Sequence, residues 1–410
     1  MTTISDTFEL TPIKGGVTAP QGFVASGVAA GLKKSGALDV AVVAAELGSV
    51  PAAALFTTNK VAAAPIIVSR RHIADGVARA VVINAGNANA CTGADGILHA
   101  EKTAATLADL LGVTASQIIV SSTGVIGVPL PVDVLLGALP TAVAELSLDG
   151  GGQAAKAIMT TDTVAKEAAV EVVVGTTRFT VGGMAKGSGM IAPTMATMIS
   201  VITTDAPLTS EECDEILRSS VGTTFNRVTI DTDTSTNDMV VLMASGTACG
   251  PMVEFGSREF EAVRTAVHAV CEKLARQIAS DGEGATKLIT VTVSGAASDA
   301  DAELAAFAVA GSPLVKTAIF GRDANWGRVA MAIGKSGCAL DPARFDITLA
   351  GIPVCREGAA LAFDEAAALE ALGSAEVSID VDLHLGEAAA TVWTCDLTYD
   401  YVRINGDYRS

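Results

Sequence analysis

Thr197 stands directly after Ala196, near the end of the run KGSGMIAPTMATM that spans Lys186 to Met198. A threonine hydroxyl is a weak nucleophile until a base adjoins it, and an α-amine freed on the same residue can be that base. The chemistry this implies is acyl transfer, preceded by a cut between Ala196 and Thr197. Acyl transfer also needs donors aimed at a developing oxyanion, and Ser122-Thr123-Gly124, at the end of a strand-like run, places a hydroxyl beside a glycine amide. Met159-Thr160-Thr161-Asp162-Thr163 reads, on its own, as a polar loop or helix cap. His72, His99, His268 and His384 have no spaced partners, which disfavours a Ser-His-Asp triad. Gly187-x-Gly189 lacks a third glycine and opens a strand, so it is not a dinucleotide fingerprint. Asp231-x-Asp233-x-Ser235 has Thr236 and Leu242 where a calcium loop needs Gly and Glu, so Asp231, Asp233, Asn237 and Asp238 read as hydrogen-bonded turn residues.

These residues must be positioned by α/β elements. Val40–Val43, Ala80–Ile83 and Ile118–Ser121 are short apolar runs of buried-strand type. Leu98 to Leu111 forms a helical face stopped at Gly112, and Val132 to Leu139 a second helix, followed by a break at Gly150-Gly151-Gly152. Ala168–Val174 and Thr177–Val181 predict a hairpin that delivers the chain to a Gly/Pro-rich loop (Gly182, Gly183, Gly187, Gly189, Pro193), with Ile199–Thr203 as the strand beyond. Thr209 and Glu212 predict a capping box. The helix Ser257 to Ile278 carries Phe260, Val263, Val267, Val270, Leu274 and Ile278 on one face. A strand around Ile289, Val291 and Val293 precedes Ser294 to Leu304, a small-residue and acidic stretch read as a linker. Beyond it, strands at Phe345–Leu349 and Val377–Leu385 flank a helix near Phe363–Leu372. His384 is placed within the second of these strands.

The 410 residues suffice for two or three domains, and their 50% hydrophobic, 4% aromatic composition predicts closely packed aliphatic layers. A net charge of −18 argues against nucleic acid and anionic membrane as partners. No apolar stretch of membrane-spanning length is uninterrupted by Gly, Pro or charge. The N-terminus lacks a basic-then-apolar signal pattern, and the seven scattered cysteines form no CxxC pair. These features predict a cytoplasmic protein with reduced thiols and argue against both disulfides and a zinc site.

The chain resembles one family nearly end to end: the glutamate N-acetyltransferase/ornithine acetyltransferase of arginine biosynthesis. The resemblance is carried by GVTAPQGFVASGVAAGLKKSG (Gly16–Gly36), FTTNKVAAAP (Phe56–Pro65), INAGNANACTG (Ile83–Gly93), SSTGVIG (Ser121–Gly127) and MTTDT (Met159–Thr163). It continues through the central run, STND (Ser235–Asp238), DGEGATK (Asp281–Lys287) and FGRDANWGRV (Phe320–Val329). Thr194 departs from the common Asn before Met195.

The resemblance implies a layered α-β-β-α sandwich of the self-cleaving aminopeptidase type. It gives a catalytic domain over 1–293, a smaller C-terminal α/β domain over 294–395, and a tail, 396–410, returning to the active site. It implies self-cleavage between Ala196 and Thr197 into chains of 196 and 214 residues that pair as an α2β2 heterotetramer. Thr197 would be the nucleophile, Thr123 and Gly124 the oxyanion hole, and Thr160, Lys186, Glu283, Asn405 and Ser410 substrate contacts. The activity implied is ping-pong transfer of acetyl from N2-acetyl-L-ornithine to L-glutamate through acetyl-Thr197, without a cofactor. The sequence leaves open whether acetyl-CoA is a second donor. Two alternatives stay open at this stage: an N-terminal-nucleophile amidase or aminopeptidase of similar fold, and a non-catalytic protein that keeps the fold.

Overall fold

In the computed structural model, which describes residues 8–192, 198–249 and 252–407, the chain forms two compact units. The first takes the chain to Gly187, Thr194–Asn226 and Thr234–Leu274; the second takes Ser188–Pro193, Arg227–Asp233 and everything from Ala275.

The first unit is a four-layer sandwich, as expected. Its smaller sheet has four strands in the order Phe23–Val28, Val40–Ala45, Ala80–Asn87, Ile118–Val125. Its larger sheet of seven includes Lys166–Val174, Thr177–Lys186, Ile199–Thr204, Met239–Ala244 and Val50–Phe56 as successive neighbours. Side chains alternate across each strand. Ala41, Val43, Val81 and Ile83 meet Met184, Ile199, Val201 and Val241 between the sheets. On the outer face of the smaller sheet, Val40, Val42, Val82 and Val120 pack on Ala104, Leu107, Leu135 and Leu139 of the helices Gly93–Leu111 and Val132–Ala144. With both faces covered, the strand Val40–Ala45 is buried throughout and reads as an unbroken apolar run. Behind the larger sheet lie the helices Ser210–Thr223 and Arg258–Ser280. Val270 and Leu274 of the latter press so closely on Gly183 that a Cβ there would come within 3.1 Å of both.

The Thr209 cap forms as the sequence predicts: the Glu212 amide donates to Thr209 Oγ1 at 3.3 Å, and Glu212 Oε2 accepts from the Thr209 amide at 2.7 Å. Gly182 and Gly183, read as loop, belong to the strand Thr177–Lys186. Gly150–Gly152, read as a break, leads the helix Gly151–Ala157. A Cβ on Gly150 would fall 1.7 Å from the Ala25 carbonyl oxygen, so glycine here permits close contact of helix and strand rather than ending structure.

The second unit holds a six-stranded mixed sheet in the order Ala359–Ala360, Ile352–Arg356, Asp346–Leu349, Glu376–Asp382, Leu288–Ala296, Ala388–Cys395. The helices Asp299–Ala310, Pro313–Phe320 and Trp326–Gly334 share its core. Ser294–Leu304 is therefore not a linker, and a boundary at 293/294 would cut the strand Leu288–Ala296. Two of the small residues there pack, Ala296 and Ala302 being fully buried, while Ser298 caps the helix and Asp299 and Asp301 sit in its positive first turn. His384 lies beyond its strand, with φ +51° and contacts of 3.2 and 3.4 Å to Asp346 and Asp382. No single described helix is long and apolar enough to cross a membrane.

Candidate active site

The strand Ile118–Val125 runs parallel to Ala80–Asn87 and carries Thr123 and Gly124 at its far end, where the register slips at Asn87. Gly124 has φ +131°, and a Cβ on it would meet Gly86 and Asn87 backbone atoms at 2.4–2.6 Å. Only glycine fits that contact. The adjacent Ser122 is braced twice: its hydroxyl donates to Asn84 Oδ1 at 2.6 Å, and its carbonyl accepts from Asn237 Nδ2 at 2.8 Å.

Lys186 ends the strand Thr177–Lys186 and is 2% exposed. Its ammonium donates to Thr160 Oγ1 at 2.8 Å and to Thr123 Oγ1 at 3.3 Å. An ammonium only donates, so Thr123 accepts from it and keeps its own hydroxyl proton to give. Asp162 stands behind. Its Oδ1 accepts from Lys166 Nζ at 2.7 Å and the Gly187 amide at 2.7 Å. Its Oδ2 accepts from the Thr160 amide at 3.0 Å and lies 3.9 Å from Lys186 Nζ. Burial alone would raise the Asp162 pKa; Lys186, Lys166 and the Thr160 amide outweigh it and hold the carboxyl below the ordinary range.

A second carboxyl of the same unit, Asp238, accepts from the Met198 amide at 3.1 Å through Oδ1. Burial pushes its pKa well above the ordinary carboxylate value, opposed only in part by the Met198 amide, the charge of Lys186 and the Ser235 and Thr57 side chains.

In the second unit, Glu283 Oε2 accepts from Asn405 Nδ2 at 2.7 Å, and the Glu283 amide donates to the Ser188 carbonyl at 2.8 Å. The Glu283 carboxyl covers Gly189, where a Cβ would fall 2.4 Å from it. Asp231 accepts from the amides of Met190 at 2.6 Å and Ile191 at 2.7 Å. Thr123, Gly124, Thr160 and Lys186 thus come together in the first unit, and Glu283 with Asn405 in the second. Ala196, Thr197 and Ser410 lie outside the described residues.

Sequence reasoning missed Asp162, Lys166, Asp231 and Asp238 as site residues. Asp162 and Asp238 lie inside the motifs MTTDT and STND, but Asp238, read as a turn residue, is a buried group at the head of a strand.

The chain matches the model of the ArgJ family over residues 24–410. It belongs to that family. Among its relatives, the arginine biosynthesis bifunctional protein ArgJ of Symbiobacterium thermophilum is 51% identical over 400 residues, covering 97% of this chain and 99% of the relative. The ArgJ protein of Caldanaerobacter subterraneus is 47% identical over 403 residues, covering 97% and 99%. Among solved structures, ArgJ of Bacillus halodurans is 46% identical, with 50% of this chain and 97% of that chain covered and a TM-score of 0.49. The ornithine acetyltransferase of Mycobacterium tuberculosis, complexed with ornithine, is 45% identical over 46% of this chain and 98% of its own, with a TM-score of 0.42. ArgJ membership favours the acyltransferase reading over a hydrolase or a non-catalytic relative.

Proposed function

We infer that this chain transfers the acetyl group of N2-acetyl-L-ornithine to L-glutamate, releasing L-ornithine and N-acetyl-L-glutamate in arginine biosynthesis. Beyond family membership, the observation that carries the reading is Lys186 Nζ within hydrogen-bond distance of both Thr160 and Thr123, beside Gly124. An acetyl amide resists attack, so an oxyanion hole must act together with an activated nucleophile. Thr197, once freed by cleavage after Ala196, attacks the acetyl carbonyl while its α-amine takes the hydroxyl proton. Thr123 and Gly124 donate to the oxyanion. Collapse expels ornithine, whose nitrogen takes that proton, and leaves acetyl-Thr197. Glutamate then enters and reverses these steps. Lys186 and Thr160 hold the α-carboxylate common to both substrates, and the resemblance adds Glu283, Asn405 and Ser410 as further contacts. An amide is exchanged for an amide, so no ATP or cofactor is consumed.

The relatives carry the word bifunctional in their names. The second activity that suits an acetyl-threonine enzyme is acceptance of acetyl from acetyl-CoA. We place the enzyme in the cytoplasm, as two self-cut chains paired into an α2β2 heterotetramer.

Incubation with acetylornithine, with and without glutamate, tests the reading. N-acetylglutamate should form only when glutamate is present; acetate release at full rate without glutamate would make the protein a hydrolase. Thr197→Ala should stay a single chain on a denaturing gel and lose transfer. Offering acetyl-CoA alone as donor measures the second activity.

A further inference from the structure

Asp39 is fully buried, and its carboxylate accepts from four successive amides: Ala30 at 2.6 Å, Gly31 at 3.1 Å, Leu32 at 2.6 Å and Lys33 at 3.0 Å. Those bonds fix the loop that carries Lys33. The Lys33 stem lies against Gly86, where a Cβ would come 3.4 Å from Lys33 Cγ. Gly86 in turn backs Gly124, whose own Cβ would fall 2.4 Å from the Gly86 carbonyl carbon. At its tip, Lys33 Nζ donates to the Leu38 carbonyl at 2.6 Å and to the Ala157 carbonyl at 3.2 Å. Ala157 closes the helix Gly151–Ala157, three residues before Thr160. Lys33 therefore runs from behind the Thr123-Gly124 pair to the segment that supplies Thr160, all within the first unit. An ammonium has three N–H groups. The two carbonyls take two, and the half-buried side chain leaves the third for a ligand. Burial lowers the Lys33 pKa from its ordinary value, Asp39 and Asp162 draw it back up, and Lys186 presses it down. Charges at the Lys186 site thus reach Lys33, and so do those of a substrate held there.

The two substrates that occupy the site in turn share an α-carboxylate and differ at the side-chain end. Acetylornithine carries an ammonium there, glutamate a carboxylate. Given the transfer reading above, on which this rests, we propose that Lys33 is the cation that selects glutamate: it attracts the side-chain carboxylate of the acceptor and repels the side-chain ammonium of the donor. Lys186 and Thr160 serve the group that both substrates present, and Lys33 tells them apart. Two unit charges about 10 Å apart, at an effective dielectric of about 20, alter binding by about tenfold. Selection by charge therefore needs no direct contact, and a hydrogen bond from the third N–H adds to it.

The test is steady-state transfer by wild type, Lys33→Met and Lys33→Arg, read as kcat/KM for glutamate divided by kcat/KM for acetylornithine. In a ping-pong scheme each value reports its own half-reaction. Met keeps a stem against Gly86 and removes the charge, so the ratio should fall by about tenfold. Arg keeps the charge and should hold the ratio within about threefold of wild type. Losing the bond to Ala157, or shifting the Thr123-Gly124 pair, slows both half-reactions through the same site and cancels in the ratio. A Lys33→Met ratio within about threefold of wild type overturns the inference, and so does a Lys33→Arg ratio that falls as far as that of Lys33→Met. Thermal midpoint reports folding. If neither Lys33→Met nor Lys33→Gln folds, Lys33 is a structural clamp, and the inference falls as well. Wild type that forms no N-acetylglutamate from acetylornithine and glutamate would instead overturn the transfer reading itself.

Discussion

Asp162 and Asp238 are both buried carboxyls of the first unit, and each accepts a backbone amide from the run Lys186–Met198: Gly187 for Asp162, Met198 for Asp238. Their proton affinities part in opposite directions. Both pay a burial penalty on the ionised form. Asp162 recovers it from two lysines and two amides, whereas for Asp238 the Met198 amide, the charge of Lys186 and the Ser235 and Thr57 side chains offset burial only in part. Asp162 is therefore held toward its anion, and Asp238 is pushed toward its protonated form. Neighbours, not residue type or depth, assign the two jobs.

The largest expected effect is on the anion. Asp162→Asn deprives the buried Lys166 and Lys186 ammoniums of their carboxylate, a change of the kind that costs about 3–5 kcal/mol. Unfolding in denaturant at pH 7 should show it, together with a sharp rise in KM as Lys186 loses its place. The pH dependence has a definite sign. The native pKa of Asp162 lies below its unfolded value of about 3.9, so its stabilisation is present above that value and lost as pH falls toward the native pKa. The gap between wild type and Asp162→Asn should therefore close in acid. A variant as stable as wild type at pH 7 would break the contrast.

Asp238 should do the reverse, on a smaller scale. Its native pKa is raised, so its neutral form contributes fully below about pH 3.9, and the contribution is lost as pH climbs toward the native pKa. Asp238→Asn removes that loss. Its thermal midpoint should match wild type near pH 4 and equal or exceed it at pH 8. A deficit at pH 8 comparable to that of Asp162→Asn would mean that Asp238 is held as an anion too.

The layered architecture was legible because buried strands and amphipathic helices print their periods on the chain. Val40–Val43 and the Phe260–Ile278 face are examples, both found as read. The Thr123-Gly124 pair, which we propose as the oxyanion hole, was legible as a hydroxyl next to a glycine at a strand end. Asp162 and Asp238 were not, because a carboxyl that accepts backbone amides leaves no spacing signature. Asp238 meets Met198 from 40 positions away, through a parallel register that local sequence does not encode. The misread segments share one cause. Gly150–Gly152 and Ser294–Leu304 are rich in small residues, which signal a turn or linker in the sequence but close packing once a partner surface is present.

Asp231 sharpens the comparison with the smallest expected effect. It too is pushed upward by burial, against the amides of Met190 and Ile191. Its Oδ1 accepts from Ile191, and its Oδ2 from Met190 and from the Tyr401 hydroxyl at 3.3 Å. Asp231→Asn keeps Oδ1 as an acceptor and gives up about one hydrogen bond, roughly 0.5–1.5 kcal/mol of local stability. Its unfolding midpoint in denaturant at pH 7 should therefore fall much less than that of Asp162→Asn. A loss as large as that of Asp162→Asn would mean that Asp231, like Asp162, is held as an anion.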